Sequence, residues 1–363
     1  MSLHLGSIGT ALPDHRLTQA EAVELHASFC LLDEKRARTL KALYRRSGIQ
    51  TRHSVLFESS EGALETRQTF YPRATDEQDR GPTTAARMAE YERRAPELAL
   101  AAARSALERA GTEAAEITHL VTVSCTGFVS PGVDAALIES LGLAKSVERT
   151  NVGFMGCHGA LNGLRVAHSF VEGDASAVPL VCAVELCTLH FAYGWDPEML
   201  VANALFADGA AALVGRGAPA ADDDWRVAAT GTLLMDGSAD AMTWRVANHG
   251  FRMTLAASVP HLIQEHLRPW MTGWLAQHGL GIDDVETWAV HPGGPRILDA
   301  VQGALGLERE ANDVARAVLA ECGNMSSPTV LFILDRLKAG GARPPCVALA
   351  FGPGLVVEAT LLV

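Results

Sequence analysis

Continuous apolar runs, each too short to cross a bilayer, constrain this chain most. ITHLVTVSCT (117–126), VPLVCAVEL (178–186) and ALFADGAAALVG (204–215) lack the alternation of half-exposed strands and read as strands buried on both faces, and WRVAATGTLLM (225–235) reads as a further strand. Helical segments separate them. LTQAEAVELHASF opens with Thr18 and Glu21 at capping-box spacing, ELALAAARSALERAG stops at Gly111, and SVPHLIQEHLRPWMTGWLAQHGL and SSPTVLFILDRLKAGG follow later. A first strand over 3–12, a strand in TWAVHPGGP and a closing hairpin in CVALAFGPGLVVEATLLV complete the series. Strands alternating with helices predict an α/β fold with a mainly parallel sheet between helical layers. The polar stretch from Phe57 to Arg94 reads as an irregular excursion, and APAADDDWR (218–226) as the junction of two halves, 1–217 and 226–363.

At 363 residues and 48% hydrophobic content the chain can bury a large core. A net charge of −12 with mostly scattered basic residues argues against nucleic acid or an anionic membrane as a partner. One dense basic stretch stands out, DEKRARTLKALYRRSGIQTRH, carrying Lys41, Arg45, Arg46 and Arg52 on a helix and its exit. It suits either a solvated face or a clamp for phosphates. Seven cysteines, far apart and mostly in apolar contexts, form neither a disulfide framework nor a metal-binding pattern, and indicate a reducing compartment. No stretch resembles a secretory leader, so the expected location is the cytoplasm.

Chemistry concentrates where glycine turns hand over to helices. In NVGFMGCHGALNGLR, Cys157 sits among Gly153, Gly156, Gly159 and Gly163 at a helix start, where the dipole favours thiolate. His291 in WAVHPGGPRIL and Asn324 in ECGNMSSP occupy comparable positions. A thiol beside an imidazole forms a thiolate–imidazolium pair, and an amide near the imidazole can donate to an oxyanion. Each residue also has a structural use: a core thiol, a satisfied core imidazole, a helix cap. GCHGALNGLR and GNMSSPTVLF echo one another, and two similar halves facing each other would bring both helix starts to one site.

GCHGALNGLR, ALFADGAAALVG, WAVHPGGPRIL, GNMSSPTVLFIL and AFGPGLVVE occur in the order found in the chalcone and stilbene synthase-like enzymes, the type III polyketide synthases, and the chain resembles that family along essentially its whole length. The resemblance implies a thiolase fold of two duplicated αβαβα halves in five layers, a homodimer, and CoA thioesters as substrates without metal or organic cofactor. It implies Cys157 as the nucleophile, His291 and Asn324 as donors to the enolate of decarboxylated malonyl-CoA, and Phe206 as a gatekeeper. Arg46 best matches a CoA-binding lysine of the family, with Lys41 and Arg45 beside it. Cys125, Thr126, Cys187, His190, Trp244, Met253 and Ser326 fall on segments that surround the cavity. Trp244, Met253, Cys187 and His190 depart from the plant pattern. Trp244 should fill volume, and Cys187 and His190 should add polarity, so the expected starter is malonyl-CoA or a small to medium aliphatic acyl-CoA. The rival readings are a ketoacyl-ACP synthase III, sharing fold and triad, and a non-catalytic thiolase-fold scaffold.

Overall fold

A computed structural model describes residues 2–219 and 224–363. Part of the junction expected at 218–226, residues 220–223, therefore lies outside the described residues. The chain opens with β1 (His4–Ala11), β2 (Arg16–Thr18), α1 (Gln19–Phe29), α2 (Glu34–Arg46) and β3 (Thr51–His53). There follow α3 (Thr84–Ala110), β4 (His119–Ser124), α4 (Val133–Leu141), β5 (Glu148–Gly153), α5 (Gly159–Gly173), β6 (Pro179–Leu186), α6 (Pro197–Leu205) and β7 (Asp208–Arg216). The remainder comprises β8 (Trp225–Leu234), β9 (Met242–Ala247), β10 (Gly250–Leu255), α7 (Val259–Ala276), β11 (Thr287–Val290), α8 (Pro295–Leu305), α9 (Asp313–Cys322), α10 (Thr329–Ala339), β12 (Cys346–Gly352) and β13 (Val356–Leu362).

Nine strands form one sheet in the order β11-β12-β13-β8-β1-β7-β6-β4-β5. The sheet is mixed, which corrects the mainly parallel expectation: among the described residues only β5–β4, β4–β6 and β11–β12 run parallel. Apolar runs report burial on both faces, and β7 and β13 are as buried as β4 and β6 while pairing antiparallel with both neighbours; β8 instead alternates buried and exposed positions. The pairing repeats. Reading β4-β6-β7-β1 and β11-β12-β13-β8, each set has one parallel pair followed by two antiparallel ones, the signature of the duplicated thiolase fold.

The core lies in layers. α3 covers β1, β6 and β7 from outside, close enough that a Cβ on Gly9 of β1 would overlap the helix backbone. α5 touches β4 and β6 as well as β12 and β13, and α10 touches β1 and β7 as well as β11 and β12, so these two helices form the shared middle layer. α7, packed against α8, presses Trp274 onto Gly231 of β8 on the far side.

Two boundaries differ from the sequence reading. α3 begins at Thr84, capped by the Thr83 side chain, so the polar excursion ends well before Arg94 and the helix runs through Pro96. α6 ends at Leu205 and β7 starts at Asp208, so Phe206 lies on the link between helix and strand rather than inside a strand.

Candidate active site

Cys157 is placed by a turn whose shape only glycine permits. Gly156 has φ +75°, and a Cβ there would overlap Pro353 of the FGPG segment. Gly156 opens a three-residue 3₁₀ turn, Gly156–His158, that leads into α5. α5 can lie close against the sheet because a Cβ on Gly163 would come within 2.9 Å of Val123 and 3.1 Å of Val181.

The start of α10 meets this turn. Asn324 is pinned through its backbone, its N–H donating to Leu205 O (2.9 Å) and its carbonyl accepting from Ala207 N (2.9 Å), astride Phe206. Its Oδ1 accepts from Ser326 N at 2.8 Å, which leaves the amide NH₂ as the free donor. That side chain and the Ser326 hydroxyl both reach the Cys157 thiol. Ser326 holds φ +58° and lies 3.3 Å from Cys125 Sγ. The two helix starts thus converge on one point. His291 stands apart at the end of β11, its N–H donating to Leu349 O (2.8 Å), and neither ring nitrogen has a hydrogen-bond partner among the described residues.

Burial dominates the electrostatics. It pushes the Cys157 thiol up to about 11, with Ser326 and Asn324 drawing it down and the Glu185 carboxylate opposing them. Burial also pushes His291 down to about 3, with the nearby His158 adding to the effect. The thiolate favoured by a helix start is therefore corrected: Cys157 sits in a 3₁₀ turn ahead of α5, and desolvation outweighs a dipole contribution of about 1 kcal/mol. Burial thus favours the neutral thiol at Cys157 and the neutral imidazole at His291.

Cys157 opens into a cavity of about 390 Å³, and seven of the expected wall residues line it: Cys125, Thr126, Cys187, Phe206, Trp244, Met253 and Ser326. The eighth, His190, lines a larger neighbouring chamber of about 810 Å³ that shares Cys187, Phe206 and Trp244 with the first. Leu25, Phe29, Phe191 and Met199 make the far chamber predominantly apolar. The polarity expected of Cys187 and His190 is not present. His190 Nε2 donates to Thr126 O (2.7 Å) and Nδ1 accepts from Phe251 N (2.9 Å), so both nitrogens are consumed, and burial holds the ring neutral at about 3. Burial likewise drives the Cys187 thiol far above its ordinary value. Trp244 turns its own N–H to Cys125 O at 2.8 Å.

Sequence reasoning passed over Glu185, a fully buried carboxylate that accepts from Cys125 N (2.9 Å), Thr126 Oγ1 (2.7 Å) and Ser327 Oγ (2.6 Å). It ties the end of β6 to the start of α10. A signal was available: an acid at the end of an otherwise apolar run.

Models of the chalcone and stilbene synthase family match this chain in two parts, the N-terminal domain over residues 3–219 and the C-terminal domain over 226–363. The chain belongs to this family. A 1,3,6,8-tetrahydroxynaphthalene synthase of Streptomyces peucetius subsp. caesius is 36% identical over 99% of this chain and 92% of its own length. The α-pyrone synthesis polyketide synthase-like Pks18 of Mycobacterium tuberculosis is 32% identical over 98% of this chain and 89% of its own. Among solved structures, PKS-I from the brown alga Ectocarpus siliculosus superimposes with a TM-score of 0.93 at 33% identity, covering 99% of this chain and 98% of that one. The protein is thus a type III polyketide synthase with a thiolase fold, and the ketoacyl-ACP synthase and scaffold readings give way to it.

In this synthase the basic helix α2 exposes Lys41, Arg45 and Arg46, none of them ion-paired among the described residues. Lys41 and Arg45 line a surface cleft with Arg38, and Arg46 lies outside it. Arg52 is not part of that patch. It is half-buried, donates through Nη1 to the carbonyls of Asn203 (2.6 Å) and Phe206 (2.9 Å), and fixes the link that carries Phe206. No cluster of metal-binding side chains is present, and no helix is long and apolar enough to cross a membrane, among the described residues.

Proposed function

We propose that this enzyme loads malonyl or a small to medium aliphatic acyl group from CoA onto Cys157, extends it with malonyl-CoA, and releases a cyclised polyphenol, resorcinol or pyrone. The observation that carries the reading is the meeting of Cys157, Asn324 and Ser326 beside a cavity that adjoins a larger one, both with mostly apolar walls. Loading exchanges one thioester for another: the Cys157 sulfur attacks the acyl carbonyl, its proton passes to His291, and the CoA thiolate departs and recovers a proton. Malonyl-CoA then loses CO₂, and the developing enolate oxygen takes hydrogen bonds from the Asn324 NH₂ and the His291 N–H. A neutral imidazole suffices, because it keeps one N–H to donate. The enolate carbon attacks the Cys157-bound acyl carbonyl, and Cys157 is freed for the next cycle. Phe206, braced by Asn324 and Arg52, acts as the gate between the CoA entrance and the cavity.

Lys41, Arg45 and Arg46 hold the CoA phosphates, a role supported by their exposure and freedom from ion pairs. The chain works as two halves, 1–217 and 226–363, in a homodimer. Dimerisation is supported by the half-exposed edge strand β5 and the adjacent patch of Phe128 and Phe154, both in ring contact with Phe251. Two relatives are named for tetrahydroxynaphthalene and α-pyrone synthesis, which supports a polyphenol or pyrone as the product class. The test is incubation with malonyl-CoA and a panel of acyl-CoA starters, read by mass spectrometry, beside Cys157→Ala. Efficient turnover of coumaroyl-CoA would overturn the substrate assignment, and covalent loading of Cys157→Ala at the wild-type rate would overturn the nucleophile.

A further inference from the structure

Behind Cys157, on the side away from the cavity, runs a chain of buried polar groups that the reaction as described does not use. The ring of His158 is buried, and its Nδ1 lies 2.7 Å from Asn162 Oδ1. Asn162 sits one turn along α5 and donates its Nδ2 to Glu358 Oε1 at 3.0 Å. Because a carboxylate only accepts, this contact orients the amide, and the amide oxygen in turn requires the hydrogen on His158 Nδ1. Glu358, on β13, also accepts from Thr232 Oγ1 of β8 (3.0 Å) and is ion-paired with Arg165 of α5. His158 packs on Gly352 of β12 so closely that a Cβ there would overlap its ring.

This arrangement answers a geometrical need. Cys157 comes from the first half of the chain, His291 and Asn324 from the second, so their separation depends on how α5 is seated against β12 and β13. Glu358 seats it from one side. Glu185 performs the reciprocal task, reaching from β6 to Ser327 at the start of α10. Each half's helix start is thus held by a buried glutamate of the other.

We propose that Glu358, acting through Asn162 and His158, is a positioning residue that sets the Cys157 sulfur against Asn324 and His291. The proposal rests on Cys157 being the nucleophile. It separates two activities: acyl loading needs the sulfur in place, whereas decarboxylation of malonyl-CoA needs only the groups of the second half. Asn162→Leu removes both hydrogen bonds at similar size. Loading of an acyl-CoA onto Cys157, followed by rapid quench and intact-protein mass spectrometry, should slow by about 10- to 100-fold, as expected for a small misplacement of a reacting atom. Release of labelled CO₂ from malonyl-CoA should be the same for Cys157→Ala with and without Asn162→Leu. If Asn162→Leu does not fold, Asn162→Ser cuts the same links with less bulk, and the same split is expected. Unchanged loading, or loading and decarboxylation falling together, overturns the proposal. Normal loading in Cys157→Ala would instead remove the nucleophile assignment on which it stands.

Discussion

Trp244→Ala should change both what the enzyme accepts and how firmly it folds, by amounts that follow from the contacts of one ring. Trp244 forms part of the wall between the two chambers, makes edge contacts with His190 (5.3 Å) and Phe251 (5.7 Å), and satisfies Cys125 O through its N–H. Because the ring is only half-buried, the cost of truncation falls at the low end for tryptophan, about 3 kcal/mol. The carbonyl left without its donor adds about 1 kcal/mol. For a chain of this length roughly 4 kcal/mol corresponds to a fall in Tm of about 5 °C. The backbone pairing of Trp244 with Met253 is kept by alanine, so the hairpin should stay formed. Opening the wall joins cavities of about 390 and 810 Å³. Longer acyl-CoA starters, or further extensions, should therefore gain relative to short ones. The assay is calorimetry together with the product profile over a starter series from acetyl to dodecanoyl-CoA. The same starter range and product length, in a variant that shows the expected loss of stability, would refute the idea that this ring limits the cavity.

His291→Ala and Asn324→Ala should each slow malonyl-CoA decarboxylation by about 10²–10³-fold, measured as CO₂ release, since each withdraws a donor from the enolate oxygen. Gly156→Ala should lose acyl loading and at least about 1 kcal/mol of stability, because φ +75° and the contact with Pro353 both reject a Cβ; urea melts and the iodoacetamide alkylation rate of Cys157 report the two effects. Arg46→Glu should raise KM for malonyl-CoA and leave kcat nearly intact, and an unchanged KM would return α2 to a solvated face. Burial lifts Asp208 from 3.8 to about 6, so the folded state binds its proton more tightly than the unfolded one; the group opposes folding above pH 6, and the opposition fades as pH falls toward 4. The stability of Asp208→Asn relative to wild type should accordingly rise between pH 4 and 6 by on the order of 3 kcal/mol, and a flat difference would contradict it.

Much of the architecture could be read from the chain because it rests on local signals. Apolar runs end at glycine and proline turns, and Cys157, His291 and Asn324 all sit at such handovers. Strand direction could not be read, since β7 and β13, antiparallel to both neighbours, carry the same kind of apolar run as β4, parallel to both. The cap at Thr83 was hidden because the first buried position of α3 is Arg87, a residue type that reads as surface, and the apolar stripe begins only later. Arg52 looked like its neighbours Arg45 and Arg46, and only tertiary packing turns it inward onto Asn203 and Phe206. The same holds for Cys187 and His190: their side chains are polar by type, but burial and backbone partners leave the wall they build without charge. Family resemblance located the cavity residues, and the second chamber behind Trp244 needed coordinates.

The exchange of glutamates between the halves bears on inheritance. A change at Glu185 is felt by Ser327, and a change at Glu358 by Asn162, Arg165 and Thr232, each far away along the chain. The duplicated halves are therefore not free to drift apart independently, even though each has its own strands and covering helices. A hybrid built from the first half of one relative and the second half of another would keep its sheet and still lose its chemistry, unless the acid on each side met a donor of matching reach on the other.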